Sequence, residues 1–186
     1  MSTWFTADQH FGHKNIIEYA NRPYSSVEEM DIDLIEQWNA VVRIGDVVYH
    51  LGDFTLGVDH TPYYVFLNGE IWFLNTSWHH DKRWIINAGV SKLPPLWVLE
   101  YPELGKDGYP LAITLCHYPL AEWDRKHYGA WHLHGHSHGN YHAEGRILDV
   151  GVDKAYQLLG KYRPFSFDEV KMYMGTVSAF EEMENR

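Results

Sequence analysis

The chain has 186 residues, 45% hydrophobic and 22% charged, a balance that suits a globular domain. Fifteen Lys and Arg against twenty-five Asp and Glu give a net charge of −10, so the whole-chain signature of a polyanion binder is missing, although bound cations would reverse the field locally. The lone Cys116 excludes an internal disulfide framework, and neither a leader-like start nor a membrane-length apolar run is evident. The expectation is one cytoplasmic domain over residues 1–186, off the membrane.

In chain order, an apolar strand over 3–7 leads straight into Asp8-Gln9-His10. Residues 27–42 carry helical periodicity, with Met30, Leu34, Ile35 and Trp38 on one face, Ser25 and Ser26 as cap candidates, and Glu28 and Glu29 in the first turn. Strands over 47–51, 71–74, 111–116 and 131–133 then run into Gly52-Asp53, a polar loop reaching Asp81, His117, and Gly135-His136-Ser137-His138. Gly105-Lys106-Asp107-Gly108 reads as a hairpin turn between strands 96–100 and 111–116. Ser166 and Glu169 form a capping box for a helix from about Phe167. Strands that end repeatedly in Asp or His, with helices between several of them, predict an α/β fold whose strand ends share one cleft.

Taken singly, these endings are weak. Asp8 and His10, two apart, would point the same way on an extended chain and could grip one ion; a solvated loop explains them as well. Gly52-Asp53 reads like many turns, and His117 could be a buried imidazole satisfied by backbone. Gly135-His136-Ser137-His138 suits two neighbouring ions, yet His132, His134, His136, His138 and His142 share one parity, so spacing does not choose among them.

Their order is more specific: D-x-H, G-D, H-D, a lone His, then G-H-x-H. In that order, and in Asp8-Gln9-His10-Phe11-Gly12-His13-Lys14-Asn15-Ile16-Ile17, Asn21-Arg22-Pro23, Val48-Tyr49-His50-Leu51-Gly52-Asp53-Phe54, Val150-Gly151-Val152-Asp153 and Tyr162-Arg163-Pro164, the chain resembles the calcineurin-like metallophosphoesterase superfamily, small bacterial and phage members especially. The resemblance spans Thr3 to about Val170. It implies a four-layer α/β/β/α sandwich, two packed mixed sheets flanked by helices. It also implies two divalent transition-metal ions, manganese first, with iron, zinc or nickel as alternatives. Asp8, His10 and His138 would hold one ion, His117 and His136 the other, and Asp53 would bridge them. His80 would face the substrate as acid or oxyanion stabiliser. A phosphate mono- or diester would be hydrolysed by a metal-bound hydroxide.

The third motif departs from the family's G-N-H-D. Here Asn75-Thr76-Ser77-Trp78-His79-His80-Asp81 puts Trp78 over the Gly and His79 over the ligand Asn. Both are neutral ligand types, so His79 is the leading replacement; Asn75, curling back on an altered loop path, is the alternative. Asp81 is expected to orient His80. His13 could orient a ligand, touch substrate or cap a helix. His50 reads as a half-buried strand residue, and Cys116 as a small buried hydrophobe. Trp72, Trp78, Trp84, Trp97, Trp123 and Trp131 read as core or cleft wall rather than as stacking platforms for bases. Lys82 and Arg83 could meet a substrate phosphate, although a solvated face is the simpler reading for Lys82. Small phosphate esters are the favoured substrates. The rival readings are a nuclease working at the same centre, and a scaffold that has lost catalysis. Oligomeric state is not readable.

Overall fold

The structure is a computed structural model and describes residues 1–57, 59–106 and 108–177. Asp107 of the expected hairpin turn and residues 178–186 of the expected domain lie outside them.

Two mixed sheets organise the chain, as expected of an α/β protein. The first has the order β4-β3-β2-β1-β9 and comprises β1 (Thr3–Thr6), β2 (Val47–His50), β3 (Glu70–Leu74), β4 (Ser91–Leu93) and the short β9 (Phe165–Ser166). Its first four strands are parallel, and β9 runs antiparallel to β1. The second sheet has the order β5-β6-β7-β8 and comprises β5 (Leu96–Lys106), β6 (Tyr109–Cys116), β7 (Trp131–His134) and β8 (Ile147–Asp149). Its hairpin is antiparallel, and β6, β7 and β8 run parallel.

Strands β7 and β8 are buried throughout, whereas β1, β2 and β3 mix buried with partly exposed residues. Between the sheets, Phe5, Leu51 and Leu74 meet Ile113, Leu115, Leu133 and Leu148. The outer face of the first sheet is closed by α2 (Val27–Val41), where Met30, Leu34 and Trp38 pack with Val48, Ile71 and Phe73. Each of those three side chains contributes about 1.5–3 kcal/mol by leaving water. Ser26 starts this helix by accepting the Glu29 N–H at 3.2 Å. The outer face of the second sheet is closed by residues 120–130, with Trp123 and Ala130 against Ala112 and Ile147. Helix α4 (Val152–Leu159) follows β8, and α5 (Phe167–Thr176) begins on the expected capping box. Two single-turn helices, α1 (Ile16–Tyr19) and α3 (Thr61–Tyr64), complete the set. No described helix is long and apolar enough to cross a membrane.

One expectation shifts. Gly105 is not a turn residue but lies inside β5, and the pairing Lys106–Tyr109 carries the hairpin almost to Gly108. A Cβ at Gly105 would sit 2.0 Å from the Tyr109 carbonyl oxygen, so glycine serves close strand approach there.

His132, on β7, is fully buried. Its Nε2 accepts the Leu120 N–H at 3.0 Å and its Nδ1 donates to the Thr114 carbonyl at 3.0 Å, which fixes a neutral imidazole. Burial lowers its pKa to about 4, against 6.5 for an ordinary histidine. Between those values the unfolded chain holds the extra proton, so stability falls as pH drops, by roughly 3 kcal/mol for this group at pH 4. His132→Gln, which can keep both hydrogen bonds, is expected to flatten the pH dependence of urea unfolding between pH 6.5 and 4.

Candidate metal centre

All seven expected ligands lie in loops beyond the carboxyl ends of parallel strands or of β6. The β1–β2 ladder continues into two of these loops: the N–H groups of Asp8, His10 and Phe11 donate to the carbonyls of Gly52, Asp53 and Phe54 at 3.0, 3.0 and 2.8 Å. Neither loop is extended, however. Asp8, His10, Asp53, His136 and His138 have φ of 63°, 54°, 57°, 68° and 48°. Left-handed backbone costs a non-glycine residue roughly 1–2 kcal/mol. Left-handed turns, not strand alternation, therefore aim Asp8 and His10, which corrects the simple D-x-H reading.

Two buried side chains hold these strained loops. Asp81 accepts the N–H groups of Asp53, Phe54 and Thr55 at 2.8, 3.0 and 3.4 Å, the Thr76 hydroxyl at 2.7 Å and the Trp84 indole at 3.0 Å. It organises the Asp53 loop rather than orienting His80, contrary to expectation. Arg22, only 3% exposed, donates to the carbonyls of Asp8 and Gln9 at 2.6 and 2.8 Å and forms a two-pronged pair with Asp153, both contacts at 2.8 Å. Asp153 in turn meets His138 Nδ1 at 2.6 Å. One guanidinium thus ties the backbone of Asp8 and Gln9, through Asp153, to His138 from the opposite end of the chain.

The side chains converge in three overlapping sets, one of them His10, Asp53 and His80. Asp53, His79, His117 and His136 bring potential ligand atoms within 4.8 Å of one another, and so do Asp8, His10 and His138. Asp53 stands between them. Its Oδ2 lies 3.5 Å from His10 Nε2, 3.6 Å from His117 Nε2 and 3.9 Å from His80 Nε2, while Oδ1 meets His79 Nδ1 at 2.6 Å. His10 Nε2 and His117 Nε2 are buried and have no hydrogen-bond partner among the described residues. His117 Nδ1 faces the Leu51 carbonyl at 3.1 Å and must carry the proton, so its Nε2 is a bare lone pair. An orphaned buried acceptor costs about 1–3 kcal/mol, and a cation satisfies several at once. The donor set fits divalent metals.

Charge agrees with geometry. Burial, then Asp149 and Asp53, push the Asp8 carboxyl well above its ordinary value. Burial opposes ionisation of Asp53 most strongly, but the His79 hydrogen bond together with the charges of His117, His10 and His79 outweighs it and holds that carboxyl low; the same bond raises His79. Burial lowers His10, His136 and His80, and takes His117 to about 4. Imidazoles held below their ordinary pKa beside crowded carboxylates are groups that could hold a cation.

Of the two replacements for the motif's Asn, His79 reaches the cluster. Asn75 closes its own turn instead, accepting the Ser77 N–H at 3.3 Å. Trp78 avoids left-handed backbone, so the glycine of the usual motif is not needed on this path. The parity ambiguity also resolves. His132 and His134 turn into the protein on β7 and His142 is exposed, whereas the chain bends after Gly135 to present His136 and His138. Gly135 and Gly151 pack on the Asp8 carboxylate, where a Cβ would lie 2.8 and 2.5 Å from Oδ2. His13 caps no helix and instead brings Nδ1 to 3.4 Å from His10 Nδ1. His50 is fully buried rather than half-buried: its Nδ1 accepts the Gly52 N–H at 3.1 Å and its Nε2 meets Gln9 Oε1 at 2.6 Å. Cys116 is buried, as expected.

Sequence reasoning gave no role to Arg22, Asp149 or Asp153. Asp149 accepts from Ser137 Oγ and from the N–H groups of Gly139 and Gly151, each at 2.7 Å, and so braces the loop bearing His136 and His138. Arg22 and Asp153 lie in stretches that carry the family resemblance, but pairing residues 131 positions apart needs the fold.

Fold and site together define a mixed α/β protein with a candidate two-cation centre at its strand ends. No protein-family model matches the chain. The uncharacterized protein MJ1445 of Methanocaldococcus jannaschii is 34% identical over 172 residues, spanning 89% of this chain and 86% of that protein, and the chain belongs to its family. The gene 66 proteins of Mycobacterium phages L5 and D29 are 27% and 26% identical, covering 86% and 85% of this chain and 90% and 91% of their own lengths. A protein of unknown function from Aquifex aeolicus, AQ665, has a crystal structure similar in fold (TM-score 0.62, 20% identity, 92% of this chain and 98% of that one).

Proposed function

We propose that the chain is a calcineurin-like binuclear metallophosphoesterase, hydrolysing small phosphate mono- or diesters in a reducing, cytoplasmic setting. The observation that carries this reading is the pair of orphaned buried ring nitrogens, His10 Nε2 and His117 Nε2, at 3.5 and 3.6 Å from one oxygen of Asp53. Asp8, His10 and His138 would hold one cation, His79, His117 and His136 the other, and Asp53 would serve both. Manganese is the first choice for this mixed N/O donor set, with iron, zinc or nickel also compatible. Such a pair supplies Lewis-acid activation of water and neutralises phosphoryl charge.

The chain's own groups supply the rest. His80 stands at the rim with its side chain 36% exposed, and is the imidazole left to meet the substrate. Burial lowers its pKa, so near neutral pH it is an uncharged hydrogen-bond donor to the phosphoryl or leaving oxygen. Asp81 and Arg22 keep the ligand loops rigid, as productive geometry requires.

Purified protein loaded with excess manganese and then desalted is expected to retain two ions per chain. It should cleave p-nitrophenyl phosphate or its bis ester, with turnover lost to chelator and restored by metal. Fewer than two retained ions, or no cleavage of either ester with manganese, iron, zinc or nickel, would refute the reading.

A further inference from the structure

A cleft of about 380 Å³ opens beside the centre, lined by Leu56, Trp78, His79, His80, Lys82 and Arg83. The chain as a whole carries a charge of −10, yet this cleft is lined by two cations and no carboxylate. Asp81, the acid of the same turn, is buried and spends its oxygens on the Asp53 loop. Lys82 and Arg83 are both exposed, and neither side chain forms an ion pair or hydrogen bond among the described residues. The Lys82 charge reaches both His79 and His80, disfavouring their protonation.

Trp78 supplies the second half of the pattern. Its side chain is 50% exposed, large for an indole, and so leaves apolar surface in water. Its neighbour Tyr118 packs against the rings of His117 and His136 at 5.0 and 4.6 Å. A flat apolar face thus stands at the edge of the candidate centre, with two uncommitted cations in the same cleft. Its chemical complement is a planar ring on a skeleton that carries an anion.

We propose that this cleft receives the leaving group of the ester, and that the substrate class is a nucleotide bearing a phosphate besides the one removed. The proposal rests on the phosphoesterase reading for the reaction and on the cleft's own lining for the selectivity. His80 borders the cleft and is the group assigned to the leaving oxygen, so the departing alcohol lies on this side. Water adds to phosphorus and the P–O bond to the nucleoside oxygen breaks. That oxygen takes up a proton, releasing inorganic phosphate and a mononucleotide. Trp78 stacks the base, and Lys82 and Arg83 hold the second phosphate.

The test has two arms, with adenosine 3′,5′-bisphosphate as probe. In chelator-treated protein, titration should give a saturable change in tryptophan fluorescence. The apparent Kd should rise about tenfold in Lys82→Ala or Arg83→Ala, the scale of one charge-assisted contact, and the signal should shrink in Trp78→Leu. In metal-loaded protein, the ratio of kcat/KM for the bisphosphate to that for p-nitrophenyl phosphate should fall about tenfold in the same cation variants. Circular dichroism checks folding, and Arg83→Gln stands in if an alanine variant misfolds. Failure to turn over either ester would sink the catalytic reading and leave the binding arm to judge the cleft. Equal binding of adenosine and the bisphosphate, or wild-type affinity in both cation variants, would overturn the cleft assignment. Tighter binding of a single-stranded oligonucleotide than of the mononucleotide would overturn it in favour of a polynucleotide track.

Discussion

Asp53→Asn is expected to lower ester turnover by at least about a hundredfold, beyond the 10–100-fold typical of partners outside a metal's ligand set, and to leave fewer than two ions bound after desalting. The change is nearly isosteric, so packing does not explain such a loss. Asp53 is 1% exposed, its Oδ2 faces three imidazole nitrogens within 3.9 Å, and its Oδ1 meets a fourth at 2.6 Å. An amide removes the negative charge these positions share. Where its N–H₂ group faces a bound cation, the contact is repulsive. Calorimetric manganese titration with parallel turnover on bis-p-nitrophenyl phosphate is the direct measurement. Asp59→Asn, at an exposed acid, should change neither. Two ions retained with near-normal turnover in Asp53→Asn would dismiss the shared-carboxylate geometry.

The second large effect is on stability. Arg22→Met should destabilise the metal-free protein by about 3–5 kcal/mol, because removing one partner of a buried pair strands the other as an uncompensated charge. Asp153 would lose both guanidinium contacts, and the carbonyls of Asp8 and Gln9 would lose their donors. Burial works against ionisation of Asp153, but the His138 hydrogen bond and the Arg22 charge hold its pKa to about 2. That stabilisation is therefore present above the ordinary aspartate range and is lost only as pH falls through about 2. Arg22→Lys keeps the charge but not the planar fork, and should recover only part of the loss. Adding Asp153→Asn to Arg22→Met should restore some stability, since no bare carboxylate then remains. Urea unfolding in chelator measures all four proteins. A loss under 1 kcal/mol for Arg22→Met would mean that the loops hold without this clamp.

Much of the local structure was legible along the chain because it depends on near neighbours. The α2 stripe of Met30, Leu34 and Trp38, its Ser26 cap, and the Ser166–Glu169 capping box all follow from contacts a few residues apart. The strand ends at Asp8, Asp53, His117, His136 and His138 were visible as apolar runs stopped by polar side chains, and their order carried the family resemblance. Their roles as expected ligands came from that resemblance.

What the chain order did not reveal was how these side chains are aimed and what fastens them. Alternation along a strand suggested one alignment for Asp8 and His10, but left-handed backbone at both produces another, and such strain persists only where surrounding contacts over-determine it. Those contacts are long-range: Asp81 on the Asp53 loop, and Arg22 with Asp153 across the two ends of the centre. The choice among five histidines of one parity, and of His79 over Asn75, was likewise made by where the backbone turns. Local propensity and burial pattern are written in neighbouring residues. Convergence of charged groups from opposite ends of a chain is decided only when the packed sheets fix the distances between them.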